Sequence, residues 1–137
     1  MKKFKFGLQK ILKLREWSEN DAKLELGRSV SALNEIENNL KIVAEKKIEA
    51  SANQFSSETA GTENVVAAVD FRTYANYLQY LETEKEHLLQ EAAKAEAEVE
   101  VKREIWTEAK SGVKVMENLK DRRFTEYKKD QYKKSEN

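Results

Sequence analysis

The chain has no proline and no cysteine among its 137 residues, a single histidine, His87, and only four glycines, Gly7, Gly27, Gly61 and Gly112. Without proline, the commonest interruption of a helix is absent throughout. Without cysteine there is no disulfide and no thiolate chemistry, a composition that fits a reducing compartment. The glycines stand singly, so no phosphate-cradling loop and no nucleophile elbow can be assembled, and one histidine without cysteines supplies no zinc set. Carboxylates are abundant, but a run such as Glu82, Glu84 and Glu86 reads as a solvated helix face, with His87 exposed beside Leu88. We therefore expect no catalytic residues, no cofactor, no metal and no enzymatic activity.

Long hydrophobic runs are missing too. Nothing approaches the roughly 20 apolar residues that span a bilayer. The basic start, Met1-Lys-Lys-Phe-Lys-Phe-Gly-Leu8, is followed by apolar residues at helical spacing, broken by Gln9, Lys10 and Lys13, so there is no signal-peptide core. The expectation is a cytoplasmic protein with at most peripheral membrane association. An amphipathic first turn rich in lysine suits an anionic membrane surface or the end of a coiled coil.

What the chain has is a hydrophobic beat. Steps of three and four residues pass through Phe71, Tyr74, Leu78, Leu81, Lys85, Leu88, Ala92, Ala95, Val99, Lys102, Trp106, Ala109, Val113, Met116, Lys120, Arg123, Tyr127 and Asp130; thirteen of these eighteen are apolar. The same spacing runs from Leu8 through Leu12, Arg15, Glu19, Ala22, Leu26, Ser29, Leu33, Ile36, Leu40, Val43 and Lys47 to Ala50, with nine of thirteen apolar. An apolar residue every 3.5 positions makes a narrow stripe that another helix must cover. Between the stripes, residues 53–64 are rich in Ser, Thr, Asn and Glu and contain Gly61. A short connection favours antiparallel neighbours. The predicted fold is all-α: an antiparallel two-helix coiled-coil hairpin with a longer second helix, helix 1 over about 4–52, the connection over about 53–64 and helix 2 over about 65–132. At about 1.5 Å per residue the helices would be roughly 70 and 90 Å long, a rod without walls for a pocket. A parallel dimer of long helices would satisfy the same stripes.

Zero net charge conceals an uneven distribution. Residues 1–17 carry six basic side chains against Glu16, residues 102–134 carry eleven basic against six acidic, and residues 18–101 carry eight basic against seventeen acidic. In a hairpin both basic segments meet where the termini lie. The helix dipole favours basic residues only in the last turn, so it does not account for lysines thirty positions deep. Acidic residues dilute the basic segments, and a neutral chain lacks the usual basic footprint, which argues against nucleic acid. An acidic protein surface is the better partner.

Charged residues also interrupt the stripes at Arg15, Glu19, Lys85, Lys102, Lys120 and Arg123, where long stems can lie along the seam while the charges reach water. Past about Met116 the second helix is expected to outrun the first, leaving Leu119, Phe124, Tyr127 and Tyr132 beside Arg122, Arg123, Lys128 and Lys129 as an open contact surface.

The opening Phe4-Lys-Phe-Gly-Leu-Gln-Lys-Ile-Leu-Lys-Leu-Arg-Glu16, then Ala22-Lys-Leu-Glu-Leu26, resembles the start of the FliJ family of the flagellar type III export apparatus. Tyr74-Ala-Asn-Tyr-Leu-Gln-Tyr-Leu-Glu82 and Glu117-Asn-Leu-Lys-Asp-Arg-Arg-Phe-Thr-Glu-Tyr127 resemble its later part. The resemblance implies a non-enzymatic stalk, similar in form to the coiled coil of the rotary ATP synthase gamma subunit. Such a stalk inserts its terminal end into the hexameric export ATPase, reaches the cytoplasmic domain of the export gate membrane protein, and cycles export chaperones at the cytoplasmic face of the inner membrane. With the charge map, it singles out Lys10, Arg15, Arg122 and Arg123 for the ATPase. The family's gate row is an aromatic, a leucine, a small residue and a histidine spaced by four, three and four. Tyr77 and Leu81 fit it, whereas Glu84 and Leu88 replace its last two members. An export chaperone, a structural coiled-coil dimer and the stalk of a related secretion system are the alternatives.

Overall fold

The computed structural model describes residues 3–59 and 65–136, with side chains over 3–56 and 69–136. Two helices, α1 (Gln9–Thr59, 51 residues) and α2 (Val65–Glu136, 72 residues), pack as an antiparallel hairpin, and the described residues contain no strand. The first helix begins at Gln9 rather than near 4 and continues to Thr59 rather than stopping near 52. Of the expected connection, the part holding Gly61 lies outside the described residues. No helix among the described residues is long and apolar enough to cross a membrane.

Burial follows the beat. Among the described side chains, every buried residue of α1 (Leu12, Ala22, Val43, Ala50) and of α2 (Leu81, Leu88, Ala92, Val99, Val113, Met116) occupies one of its positions. The residues between the beats are mostly exposed, whether charged, apolar such as Leu14, Ile48 and Val115, or threonines such as Thr73, Thr83, Thr107 and Thr125, whose hydroxyls donate to the carbonyl four residues back.

Two compact units divide the chain: a terminal unit (residues 1–28 and 99–137) and an inner unit (residues 29–98). In the terminal unit, Phe6, Leu12, Val113 and Met116 form the buried cluster, with Phe4, Leu8 and Leu119 packed against it. Residues 3–8 are not helical. They form an arm that turns into α1 through a hydrogen bond from the Gln9 amide to the Phe6 carbonyl, 3.1 Å. The arm carries its two phenylalanines onto α2. Phe4 meets Phe124 edge to face with ring centroids 5.1 Å apart and Tyr127 at 5.5 Å, while Phe6 is 8% exposed. Phe4 thus reaches the late turns of α2 at Phe124 and Tyr127, but those turns stay largely exposed, Phe124 itself by 38%.

Trp106 also takes its place in the seam. Its indole nitrogen is buried without an acceptor among the described residues, and the Lys110 ammonium lies 5.1 Å from its ring centroid. An unpaired buried donor costs stability, here offset by the area the ring covers.

In the inner unit, Val43, Ala50, Leu81 and Leu88 are buried together, with Ile36, Leu40, Tyr74 and Leu78 around them. Each fully buried aliphatic side chain contributes about 1.5–3 kcal/mol relative to exposure. Leu81, 2% exposed, is the deepest of them.

Candidate functional site

The division into units is also a division of charge. The terminal unit holds nineteen basic and twelve acidic residues, net +7, and the inner unit six basic and thirteen acidic, net −7. Of the four basic residues expected to meet the ATPase, all belong to the terminal unit, and all are exposed. They are not equivalent. Lys10 stands on the first turn of α1. Arg15, a seam residue, reaches across to α2 at Gly112: a methyl group on that glycine would stand 2.8 Å from Arg15 Nη1. The glycine therefore leaves room for a guanidinium in the seam, at a cost of about 1 kcal/mol in helix propensity relative to alanine. Arg123 is seated with its guanidinium carbon 5.6 Å from the Phe6 ring centroid, a cation–π contact that fixes its direction. Arg122, beside it, is exposed. Lys128 lies 4.7 Å from the centroid of Phe124, and with Lys129, Tyr132 and Lys133 it lines an open depression on the final turns of α2.

The arm is what sequence reasoning missed here. It gives Phe124 and Tyr127 a ring partner, and leaves Tyr132, 65% exposed, as the most exposed aromatic of the late turns. The signal was present in the opening: Phe4 and Phe6 are two residues apart, a spacing that puts both on one side of an extended chain.

In the inner unit, Tyr77 and Leu81 lie together but in different roles. Leu81 is buried in the seam, so its side chain offers no contact surface. It forms the floor of a groove of about 210 Å³ whose rim includes Tyr77, Tyr80 and Ile42. Tyr77 and Tyr80 stack with centroids 6.3 Å apart and are 39% and 60% exposed. Tyr80 is the residue the sequence reading left out. Glu84 and Leu88, at the positions that depart from the family's row, also border the groove, Leu88 as a buried seam residue.

One ion pair crosses the seam nearby. Lys47 Nζ donates to Glu82 Oε2 at 2.5 Å. The Glu82 carboxyl is held below its ordinary value, first by that hydrogen bond, then by the Lys47 charge and by Lys85. The folded state therefore binds this proton less tightly than the unfolded chain. Its stabilisation is present above the ordinary carboxylate range and is lost as pH falls through the lowered folded value. A chemical-denaturation series across acid pH is expected to show this small loss, and Glu82→Gln is expected to flatten it. An unchanged slope in Glu82→Gln would remove the pair from the account.

Among the described residues no group of three or more His, Cys, Asp or Glu side chains is placed to hold a metal ion. No curated protein and no solved structure matches the chain. A family model, described as the flagellar FliJ protein, matches residues 4–137. That match takes in the arm, both helices and the late basic turns of α2, so the chain belongs to the FliJ family.

Proposed function

We propose that this component of the flagellar export apparatus is its stalk: its terminal unit enters the export ATPase ring and its inner unit presents an aromatic groove to the export gate. The observation that carries the reading is the separation of charge, net +7 in one unit and −7 in the other, in a chain of zero net charge. A basic surface bearing exposed guanidinium groups suits a ring lumen lined by acidic loops, where complementarity guides approach and orientation. Lys10, Arg15, Arg122 and Arg123 are the ring-contacting charges, with Arg123 seated on Phe6 and Arg15 given room beside Gly112. Tyr77 makes the gate contact from the groove rim, and Leu81 backs it from the seam.

Such a stalk does no chemistry. It favours one conformation of the ring by binding that conformation more tightly, and the shift is limited by that difference in affinity. Escort of export chaperones and a place at the cytoplasmic face of the inner membrane belong to the same reading.

Charge reversal tests it. Arg122→Glu with Arg123→Glu is expected to weaken association with the export ATPase about tenfold or more at moderate salt, mainly through slower encounter. Because Arg123 also packs on Phe6, Arg122→Glu alone separates lost charge from a disturbed arm. Unchanged binding by the double variant, with the helices intact, would refute the basic-surface account.

A further inference from the structure

Away from its seam, α1 carries a second stripe. From Lys10, alternate steps of four and three residues pass through twelve positions to Glu49, each two residues after a seam position, and all twelve are exposed. Its apolar members, Leu14, Trp17, Leu24 and Ile42, are 66%, 70%, 63% and 46% exposed. Its charges are sorted along the helix. Lys10 and Arg28 stand in the early half, within the terminal unit and with Asp21 between them; Glu35, Glu45 and Glu49 stand in the later half, within the inner unit.

Such a stripe is complementary to its own reversal. With Trp17 of one copy opposite Ile42 of another, Lys10 falls opposite Glu49 and Asp21 opposite Asn38, while Arg28 comes within one turn of Glu35. Two-fold symmetry repeats every contact. Beside the stripe, the stems of Lys13 and Lys46 fall on Ile48 and Ile11, which are 72% and 42% exposed. We propose that α1 packs antiparallel along α1 of a second copy through this face, joining two hairpins in a reversible dimer. Each half of the interface then sets the basic stretch of one copy against the acidic stretch of the other.

Charge selects this alignment over the others. Sliding one copy by a heptad sets Trp17 against Glu35 or Glu49, and in the second case Asp21 against Glu45 as well. Parallel pairing in register sets every charge against its own kind. Only four of the twelve positions are apolar, so the pair should dissociate in about the micromolar range. In the dimer Lys10 is engaged and Ile42, on the rim of the aromatic groove, is covered. Under the stalk reading, on which this consequence alone rests, the dimer is a resting form: the ring and the gate each capture single chains, and mass action draws the pairs apart.

The test uses the full chain in sedimentation velocity at low salt. Between roughly 1 and 100 μM the mean mass is expected to rise from that of one chain toward that of two. Lys10→Glu with Arg28→Glu, and separately Glu35→Lys with Glu49→Lys, should each weaken pairing about tenfold with helicity by circular dichroism unchanged. Mixed in equal amounts, the two variants should pair as the wild type does, since both halves of the mixed interface regain opposite charges. Trp17→Ser should abolish pairing in this range. A single-chain mass at every concentration, wild-type pairing by either charge variant alone, or a mixture that stays unpaired would each overturn the proposal. No ATPase enters these measurements, so their failure leaves the stalk reading standing. Added export ATPase is expected to convert pairs into single chains bound in the ring; dimers bound there intact would overturn the resting role.

Discussion

Leu81→Ala is expected to destabilise the hairpin by about 2–4 kcal/mol, measured as a lower midpoint in urea with helicity as the probe. The side chain is 2% exposed and packed with Val43, Ala50 and Leu88. Truncation removes its transfer free energy and leaves a cavity that two long helices, pinned by seam contacts on both sides of the position, close only in part. Since the whole stability of a small domain is about 5–15 kcal/mol, the loss is a large share of it. The same change removes the floor beneath Tyr77 and Tyr80, so under the proposed stalk function gate binding should fall too, through Tyr77 and not through Leu81 itself. A loss below about 1 kcal/mol would mean that the seam collapses freely around this position, and Leu81 would then not be its centre.

Phe6→Ala is the second large effect, and it should be local. Phe6 joins the arm to Val113 and Met116 and gives Arg123 its seat. A cost of about 2–3 kcal/mol is expected, confined to the terminal unit. Amide exchange should accelerate roughly 30- to 100-fold in the first turns of α1 and around residues 113–127 of α2, with the inner unit unaffected. Phe4→Ala should do less, since a ring pair contributes about 0.5–1.5 kcal/mol beyond its area. If Phe6→Ala leaves exchange in α2 unchanged, the arm is not part of the terminal unit's fold.

The seam was legible because a coiled coil writes its packing in one dimension. Leu12, Val43, Leu88 and Val113 are buried for the reason their spacing announces. Where the spacing is silent, the structure departed from expectation. The polar stretch after residue 52 stays helical to Thr59, because loss of a stripe removes a reason for burial but, without proline, adds no barrier to the helix. Residues 4–8 continue the apolar pattern yet leave the helix, since Phe4 and Phe6 gain more by reaching Phe124, Tyr127 and Met116 than a solvated first turn would provide. That choice depends on residues more than a hundred positions away, beyond any local pattern. The basic character of the terminal unit was readable as charge arithmetic, whereas the different settings of Arg15, Arg122 and Arg123 were not. Leu81 illustrates the same limit: a residue on the beat is drawn into the seam, so the exposed aromatics beside it are the off-beat Tyr77 and Tyr80.

A repeated stripe has a weakness of its own, which is that it looks nearly the same after sliding by seven residues. Val43, Ala50, Leu81 and Leu88 would find apolar partners in several alignments. The irregular positions remove that ambiguity. In the inner unit, moving one helix a heptad along the other would part Lys47 from Glu82; in the terminal unit, the same slip would take Arg15 from the open space at Gly112 and turn its flexible end aside. The imperfections of the pattern thus act as alignment marks, and a hairpin idealised by filling those sites with leucine and alanine would be expected to gain stability and lose its single alignment.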